Sequence, residues 1–179
     1  KSVCALTKAS GVTSMDRWFA AKTPVKLGAT GSGTIVDVPK ILKSAVGLPI
    51  QLVLGFKGTA EIRLAAESGE LAGACWSWDA IKSTWTRGLE SGDVNVILQA
   101  VAKPFPELPK VPLAIRYAKT EEARQLIQGG IHDAADIARP FVMPPGTPKE
   151  RVQLMRQAFL ATLKDPAFVP EADKSKLET

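Results

Sequence analysis

Leu27 to Thr34, LGATGSGT, is the stretch that decides the fold class. It lies between a short strand-like run and the run Ile35 to Val46, whose apolar residues recur at helical spacing. Its three glycines allow a sharp turn, and Ser32 and Thr34 are residue types that cap helices. Unpaired N–H groups at such a helix start favour an anion. The stretch therefore indicates either an anion-binding loop or simply a tight strand-to-helix connection.

Strand and helix patterns alternate along the following part of the chain. Strand-like runs recur at Ile50 to Leu54, Leu71 to Cys75 and Val94 to Gln99, with helical runs between them. This alternation predicts an α/β fold with a mostly parallel sheet flanked by helices. In such sheets ligands bind beyond the carboxyl ends of the strands, where three loops should meet. We expect ligand contacts from these loops at Thr30, Gly31, Ser32, Gly33, Thr34, Lys57, Gly58, Thr59, Trp76, Ser77, Trp78 and Asp79.

Several of these residues also have a simpler interpretation. Lys57 could meet a carboxylate as a point charge, or it could be a solvated loop lysine. One of Trp76 and Trp78 is expected in the core, because alternate residues of an extended segment face opposite sides, and the other could line a pocket. Asp79 could accept a hydrogen bond from a ligand or cap the following helix, and Thr59 is expected to cap the helix that starts at the next residue.

Further elements flank this region. We interpret Val3 to Ala9 as helical and Met15 to Ala21 as a second helix, with Ser14 as its N-cap. Lys103 to Pro112 contains four prolines, so we interpret it as a stiff surface connection. Thr120 is expected to start another helix.

The C-terminal part carries a clear helix signal. Ala138 to Met143 has the pattern of a strand, and Thr147 to Glu150 has the spacing of a capping box with proline at its first helical position. The helix that follows is expected over Lys149 to Leu163. Its apolar stripe at helical spacing is typical of a docking face within the same protein. The stripe consists of Val152, Met155, Phe159 and Leu163.

Charge and hydropathy exclude two classes of protein. The net charge is +5, but the basic residues are scattered among acids, so we expect no nucleic-acid partner. No apolar run approaches the roughly 20 residues of a membrane span.

The N-terminus, KSVCALTKAS, has no signal-peptide pattern, so we expect a piece of a longer precursor.

The residues of common catalytic and cofactor sites are missing. The glycine order G-x-x-G-x-G does not fit the dinucleotide fingerprint, and Thr34 stands where a phosphate-binding loop has lysine. The single histidine, His132, has no nucleophile elbow to serve and is expected in a loop. Cys4 and Cys75 have no metal-type spacing and are expected to be packing residues. We therefore expect a protein without enzymatic activity and without a cofactor.

Three segments together resemble a known family. GATGSGT, then GFKGTAEIRLAAESGELAG, then RPFVMPPGTPKERVQLMRQAFLATLKDPAF resemble the substrate-binding receptors of tripartite tricarboxylate transporters, the Bug-type periplasmic receptors. The resemblance covers nearly the whole chain. It implies one lobe of a type II periplasmic (Venus-flytrap) binding protein, which binds a small carboxylated solute between lobes and delivers it to membrane permease subunits. In the family the solute is held at the glycine-loop helix start, here Ser32, Gly33 and Thr34.

The resemblance also implies a domain organisation. Residues 1–137 correspond to the ligand-binding α/β lobe, which is the second lobe of the full receptor. Residues 138–179 correspond to a crossover strand and a C-terminal helix that would dock on a first lobe, which this chain lacks. Without that lobe, we expect the apolar stripe to be covered by folding back or, preferably, in a homodimer. A small-molecule sensor and an anion-handling enzyme are the alternative functions.

Overall fold

The protein forms an α/β fold, seen in a computed structural model that describes residues 1–137 and 140–174. Within these ranges one mixed sheet has five strands in the order β3, β2, β4, β1, β5. The predicted sheet flanked by helices is confirmed. The strands are β1 Ser2–Thr7, β2 Val25–Gly28, β3 Ile50–Val53, β4 Gly73–Ser77 and β5 Val94–Ala100.

One strand runs against the other four. β2 pairs in parallel with β3 and β4, whereas β1 pairs antiparallel with both β4 and β5. The helix predicted for Val3 to Ala9 is therefore wrong. All six residues of β1 are buried, because the strand lies between two others and is covered on both faces. Burial on both faces removes the apolar–polar alternation by which a strand is recognised in a sequence.

The helices lie close to their predicted positions. In the first part of the chain they are α1 Met15–Phe19, α2 Thr34–Val46, α3 Thr59–Glu67, α4 Trp78–Thr84, α5 Thr86–Ser91, α6 Glu121–Ile127 and α7 Ala134–Asp136. The hydroxyls of Ser14 and Thr120 cap α1 and α6 as predicted. The helical run expected between the strand-like runs Leu71 to Cys75 and Val94 to Gln99 is divided between α4 and α5. No helix in the described ranges is both long and apolar enough to cross a membrane.

Two apolar clusters cover the two faces of the sheet. Alternate side chains of β1 divide between them: Cys4 and Leu6 pack with α1, α2 and α6, whereas Val3 and Ala5 pack with α3 and α4. Trp18, on α1, and Leu42, on α2, are fully buried in the first cluster. Helices on both faces hold the sheet in the middle layer of the fold.

A disulfide joins the two cysteines across the central strand pair. Cys4 and Cys75 face each other in the register of β1 and β4, with their Cα atoms 4.0 Å apart. Both are buried as expected, but the expectation of two separate packing residues is wrong. The two cysteines are 71 residues apart in the sequence, and the spacing alone does not indicate that their strands are neighbours in the sheet.

His132 is buried instead of lying in a loop. It belongs to a π-helical turn, Gln128–Asp133, that continues α6. Its Nδ1 lies 3.2 Å from Gln128 Oε1, and its Nε2 has no hydrogen-bond partner among the described residues. Burial lowers the pKa of His132, against the opposing effect of the Asp133 and Asp136 carboxylates.

The residues after 137 form a separate compact unit. Internal contacts divide the chain into Lys1–Ile137 and Ala138–Thr179. The second unit contains α8 Lys149–Thr162 and α9 Phe168–Lys174. Of the strand predicted for Ala138 to Met143, residues 138 and 139 lie outside the described residues, and residues 140–143 form no strand. The apolar stripe of α8 is open to solvent in part.

Two details of the second unit differ from the prediction or extend it. The capping box does not form: Pro148 occupies the N-cap, and the Thr147 hydroxyl donates to the Pro144 carbonyl instead. Met155 and Phe159 are 56% and 44% exposed. The ring of Phe159 packs on that of Phe141, with centroids 4.8 Å apart.

The disulfide predicts a large loss of stability when it is removed. Because it closes a loop of 71 residues, replacing both cysteines by alanine should lower the free energy of unfolding by about 3 to 5 kcal/mol. Urea unfolding of the wild type and of the double variant Cys4→Ala/Cys75→Ala measures the difference. Urea unfolding of the wild type with a reductant present serves as the control. Its free energy of unfolding should approach that of the double variant. Two titratable thiols in the non-reduced, denatured protein would show that the bond is absent.

His132 predicts a pH-dependent loss of stability. Because folding lowers its pKa, the unfolded chain binds a proton more readily below about pH 6.5. Stability should therefore fall between pH 7.5 and 5.5 more steeply in the wild type than in His132→Gln, which cannot titrate. Urea unfolding at both pH values tests this, and the carboxylates contribute equally in the two proteins. Parallel stability–pH curves would contradict the prediction.

Candidate functional site

The predicted loops meet at one edge of the sheet. β2, β3, β4 and β5 run in the same direction, so their carboxyl ends all lie at this edge. The N-terminal end of β1 lies there too, since Ser2 is opposite both Ser77 and Ala100. The glycine loop, residues 54–58 and the start of α4 therefore emerge together. We call this edge the carboxyl edge.

The glycine loop presents an uncapped helix start. Gly33 occupies the N-cap of α2 with φ of 86°, a left-handed conformation that favours glycine. Neither Ser32 nor Thr34 caps the helix, so that expectation is wrong. The N–H groups of Thr34 and Ile35 have no acceptor among the described residues. The exposed loop thus offers backbone donors and two hydroxyls, while the Thr30 hydroxyl donates to the Ser32 carbonyl at 3.2 Å.

A second helix start follows the neighbouring strand, β3. Gly58 is the N-cap of α3 and Thr59 is its first helical residue, so Thr59 does not cap the helix as predicted. The Glu61 carboxylate accepts a hydrogen bond from the Lys57 N–H at 2.9 Å and holds the preceding loop. The Lys57 side chain is exposed. The N–H groups of Thr59 and its successor have no acceptor among the described residues.

Trp76, near the end of β4, and Trp78, the first residue of α4, are both in the core. Trp76 is 3% exposed and its ring lies 5.0 Å from that of Trp85. Trp78 is 6% exposed, and its ring lies 6.4 Å from that of Phe105. The expectation that they face opposite sides is wrong, because both belong to one apolar cluster. Residues two apart in an extended segment lie on the same face, as Cys4 and Leu6 do in β1, so Trp76 and Trp78 pack in the same cluster.

Ser77 and Asp79 have partners within the protein. The Ser77 hydroxyl caps α4 by accepting from the Ala80 N–H at 3.2 Å. Asp79 is therefore not the cap; it lies in the first turn of α4, and a carboxylate oxygen is 3.6 Å from Lys82 Nζ. Both residues are half-buried at the carboxyl edge.

Gln99 has a structural role that was not predicted from the sequence. Its side chain is fully buried at the end of β5 and binds the proline-containing segment in three places. Its amide nitrogen donates to the carbonyls of Leu108 and Val111 at 3.0 and 2.7 Å, and its amide oxygen accepts from the Phe105 N–H at 2.8 Å. These three hydrogen bonds attach the segment to the sheet, so it is more than the stiff surface connection expected for Lys103 to Pro112. A polar residue ending a strand of apolar character was the available signal.

Glu107 ties the same segment to α4. Its carboxylate accepts a hydrogen bond from the Trp78 indole and lies 3.3 Å from Lys82 Nζ. Lys82 also stands over the Trp78 ring, 5.5 Å from the centroid. The hydrogen bond from Trp78 lowers the pKa of the Glu107 carboxyl group, and the hydrogen bond and positive charge of Lys82 lower it further. Partial burial of the carboxyl group opposes these effects. This cluster fixes α4 and its tryptophan at the carboxyl edge.

The carboxyl edge is suited to holding an anion. Helix starts carry partial positive charge, and α2 and α3 begin after neighbouring strands. Hydroxyls and one lysine add further donors. No cluster of three potential metal ligands exists in the described ranges. The chemistry gathered here is that of hydrogen bonding and charge.

Comparisons with known proteins agree with this fold. No protein-family model matches the chain, and no curated protein sequence matches it significantly. Three solved structures match over 98% of it: Rpa4515 of R. palustris with adipate (19% identity, TM-score 0.61), a TctC solute binding protein from Polaromonas without ligand (14%, 0.63) and the periplasmic binding protein BugD (16%, 0.58). The chain spans 55%, 56% and 55% of their lengths. At these identities the similarity establishes the fold, and it confirms the predicted resemblance to Bug-type binding proteins at that level.

Proposed function

We propose that the protein is the ligand-binding lobe of an extracytoplasmic receptor for small carboxylated solutes. In this proposal, a membrane permease of the tripartite tricarboxylate type takes up the captured solute. The observation that carries the proposal is the pair of uncapped helix starts, α2 and α3, after neighbouring strands at one edge. The fold, shared with known solute-binding proteins, supports it.

The donors of the carboxyl edge suit a carboxylate group. One carboxylate of the solute would accept hydrogen bonds from the N–H groups and hydroxyls of the glycine loop. Lys57 would contribute a point charge from the second loop. Rpa4515 was solved with adipate, a dicarboxylate, which makes adipate a suitable probe here. The proposed contacts are Thr30, Gly31, Ser32, Gly33, Thr34, Lys57, Gly58, Thr59, Ser77 and Asp79.

Trp76 and Trp78 have a supporting role in this proposal. Their side chains are buried, so they would stabilise the conformation of the carboxyl edge, while the residues of the loops would contact the solute. The hydrogen bond from Trp78 to Glu107 and the packing of Trp76 on Trp85 would provide this rigidity. A rigid edge lowers the conformational cost of binding.

An oxidising compartment is part of the proposal. Disulfides persist in secreted and periplasmic proteins and are rare in the cytosol. The Cys4–Cys75 bond supports a periplasmic location, and the similar structure BugD is named as a periplasmic binding protein.

We further propose that the protein binds its solute without converting it. Two of the three similar structures are named as binding proteins, and the third was solved with adipate. The single imidazole of the chain is buried in a π-helical turn and is therefore unsuited to act as a general base.

A second lobe is part of the complete receptor that we propose. Residues 1–137 would be one wall of the cleft, and α8 would dock on the other lobe through its stripe of Val152, Met155, Phe159 and Leu163. Exposed Met155 and Phe159 support this, because leaving a large apolar side chain in water forfeits about 1.5 to 3 kcal/mol. In the isolated chain, we propose that a second copy covers the stripe.

Adipate binding at the α2 helix start is the first test. Because Thr34 is the first residue of α2, proline is tolerated there, but it removes one N–H donor together with the Thr34 hydroxyl. Thr34→Pro should weaken adipate binding about 10- to 100-fold, the value of a hydrogen bond to a charged group. NMR titration of the labelled chain measures the affinity and should show shifts at residues 30–34.

Glu121→Pro is the matched control for this test. It places proline at the first position of α6, a helix outside the carboxyl edge, and should leave adipate affinity unchanged. Equal effects of the two variants, or shifts confined to other residues, would count against the proposed site. A two-lobed precursor should bind adipate much more tightly than the chain, and equal affinities would show that the second lobe contributes nothing.

If a second copy covers the apolar stripe of α8, the isolated chain should form a dimer. Light scattering should show a mass that doubles with rising concentration. Phe159→Lys should shift the chain to the monomer, because it places a charge in the apolar contact. Gln153→Lys, which changes an exposed polar residue of α8, should leave the dimer intact. A strict monomer at every concentration would refute this part of the proposal.

A further inference from the structure

A groove lies at the edge of the sheet opposite the carboxyl edge. Its volume is about 520 Å³, within the size range of ligand-binding clefts. It is formed by the end of β1, the loop before α1, the start of β2 and the turn that leads into β4. We call it the basic groove, after the charged residues on its rim: Arg17, Lys22 and Lys26.

The walls of the basic groove are held by backbone hydrogen bonds. The Thr7 N–H donates to the Ala72 carbonyl at 2.8 Å, and the Ala72 N–H donates to the Lys26 carbonyl at 2.8 Å. Thr7, Ala72 and Leu71 are buried, so these walls belong to the core of the fold. The groove is therefore a fixed concave surface.

The charge around the groove is unbalanced. Arg17, Lys22 and Lys26 form no ion pair with any described carboxylate. Glu70 is the one acidic residue among those that line the groove. Two described cations outside the groove have carboxylate partners: Arg63 pairs with Glu67 at 3.0 Å, and Lys82 pairs with two carboxylates.

We propose that the basic groove docks an acidic segment of a partner protein. The three cations are exposed and surround an open concave surface. A small anion in such a place stays hydrated and meets one flexible, screened charge at a time. An extended acidic chain instead places several carboxylates against all three cations and covers the walls between them. Charge complementarity therefore favours a segment with clustered aspartate or glutamate side chains.

Hexaglutamate with blocked ends is the probe for this proposal. NMR titration of the labelled chain at low salt should shift the resonances of residues 9–12, 22–26 and 69–72, and physiological salt should weaken the binding. Arg17→Glu/Lys26→Glu should weaken binding about tenfold or more, because two attractive contacts become repulsive. Lys40→Glu/Lys43→Glu, an equal charge change on exposed residues of α2 outside the groove, should change it much less.

Three results would overturn the proposal. The first is the absence of binding at low salt, and the second is an equal loss in the two double variants, which would show that overall charge alone attracts the peptide. The third is citrate shifting the same resonances with the affinity of hexaglutamate, which would make the groove a site for small anions. Thermal unfolding of both double variants checks that each is folded, and all four substituted residues are exposed.

Discussion

The structure depends on the insertion of β1 between β4 and β5. This strand makes the antiparallel contacts that join β5 to the parallel strands, and all six of its residues are buried. The contact with β4 requires glycine at position 73, since a Cβ there would lie 2.1 Å from the Ala5 carbonyl oxygen. The Cys4–Cys75 disulfide then ties the same two strands covalently. Close backbone approach and the covalent bond thus act on one strand pair.

The direction of β1 also determines where function can lie. Because the other four strands run together, α2 and α3 begin at the same edge, and their N–H groups give it fixed partial positive charge. The opposite edge has no such helix starts from these strands; its positive charge comes from Arg17, Lys22 and Lys26 on exposed, flexible side chains. Fixed backbone donors suit one small solute in one orientation. Mobile charges suit a longer, less uniquely placed partner.

The carboxyl edge is reinforced by two polar side chains, buried Gln99 and exposed Glu107. Gln99 satisfies three backbone groups of the segment that follows β5, and Glu107 joins that segment to Trp78 and Lys82. The buried hydrogen bonds of Gln99 are costly to break, because each lost partner leaves an unsatisfied polar group. They explain how a segment with four prolines and no regular structure is held in one position.

The sequence by itself determined the α/β class, the glycine loop before α2, most helix bounds and the apolar stripe of α8, because these follow from local spacing and capping. Only the tertiary structure decided that residues 2–7 form an interior strand of the sheet and that Cys4 meets Cys75. It also decided that Gly33 and Gly58 occupy the N-cap positions at the carboxyl edge. Each of these depends on which distant segments become neighbours, and local periodicity carries no record of such contacts. Burial on both faces removes even the alternation that would have identified β1.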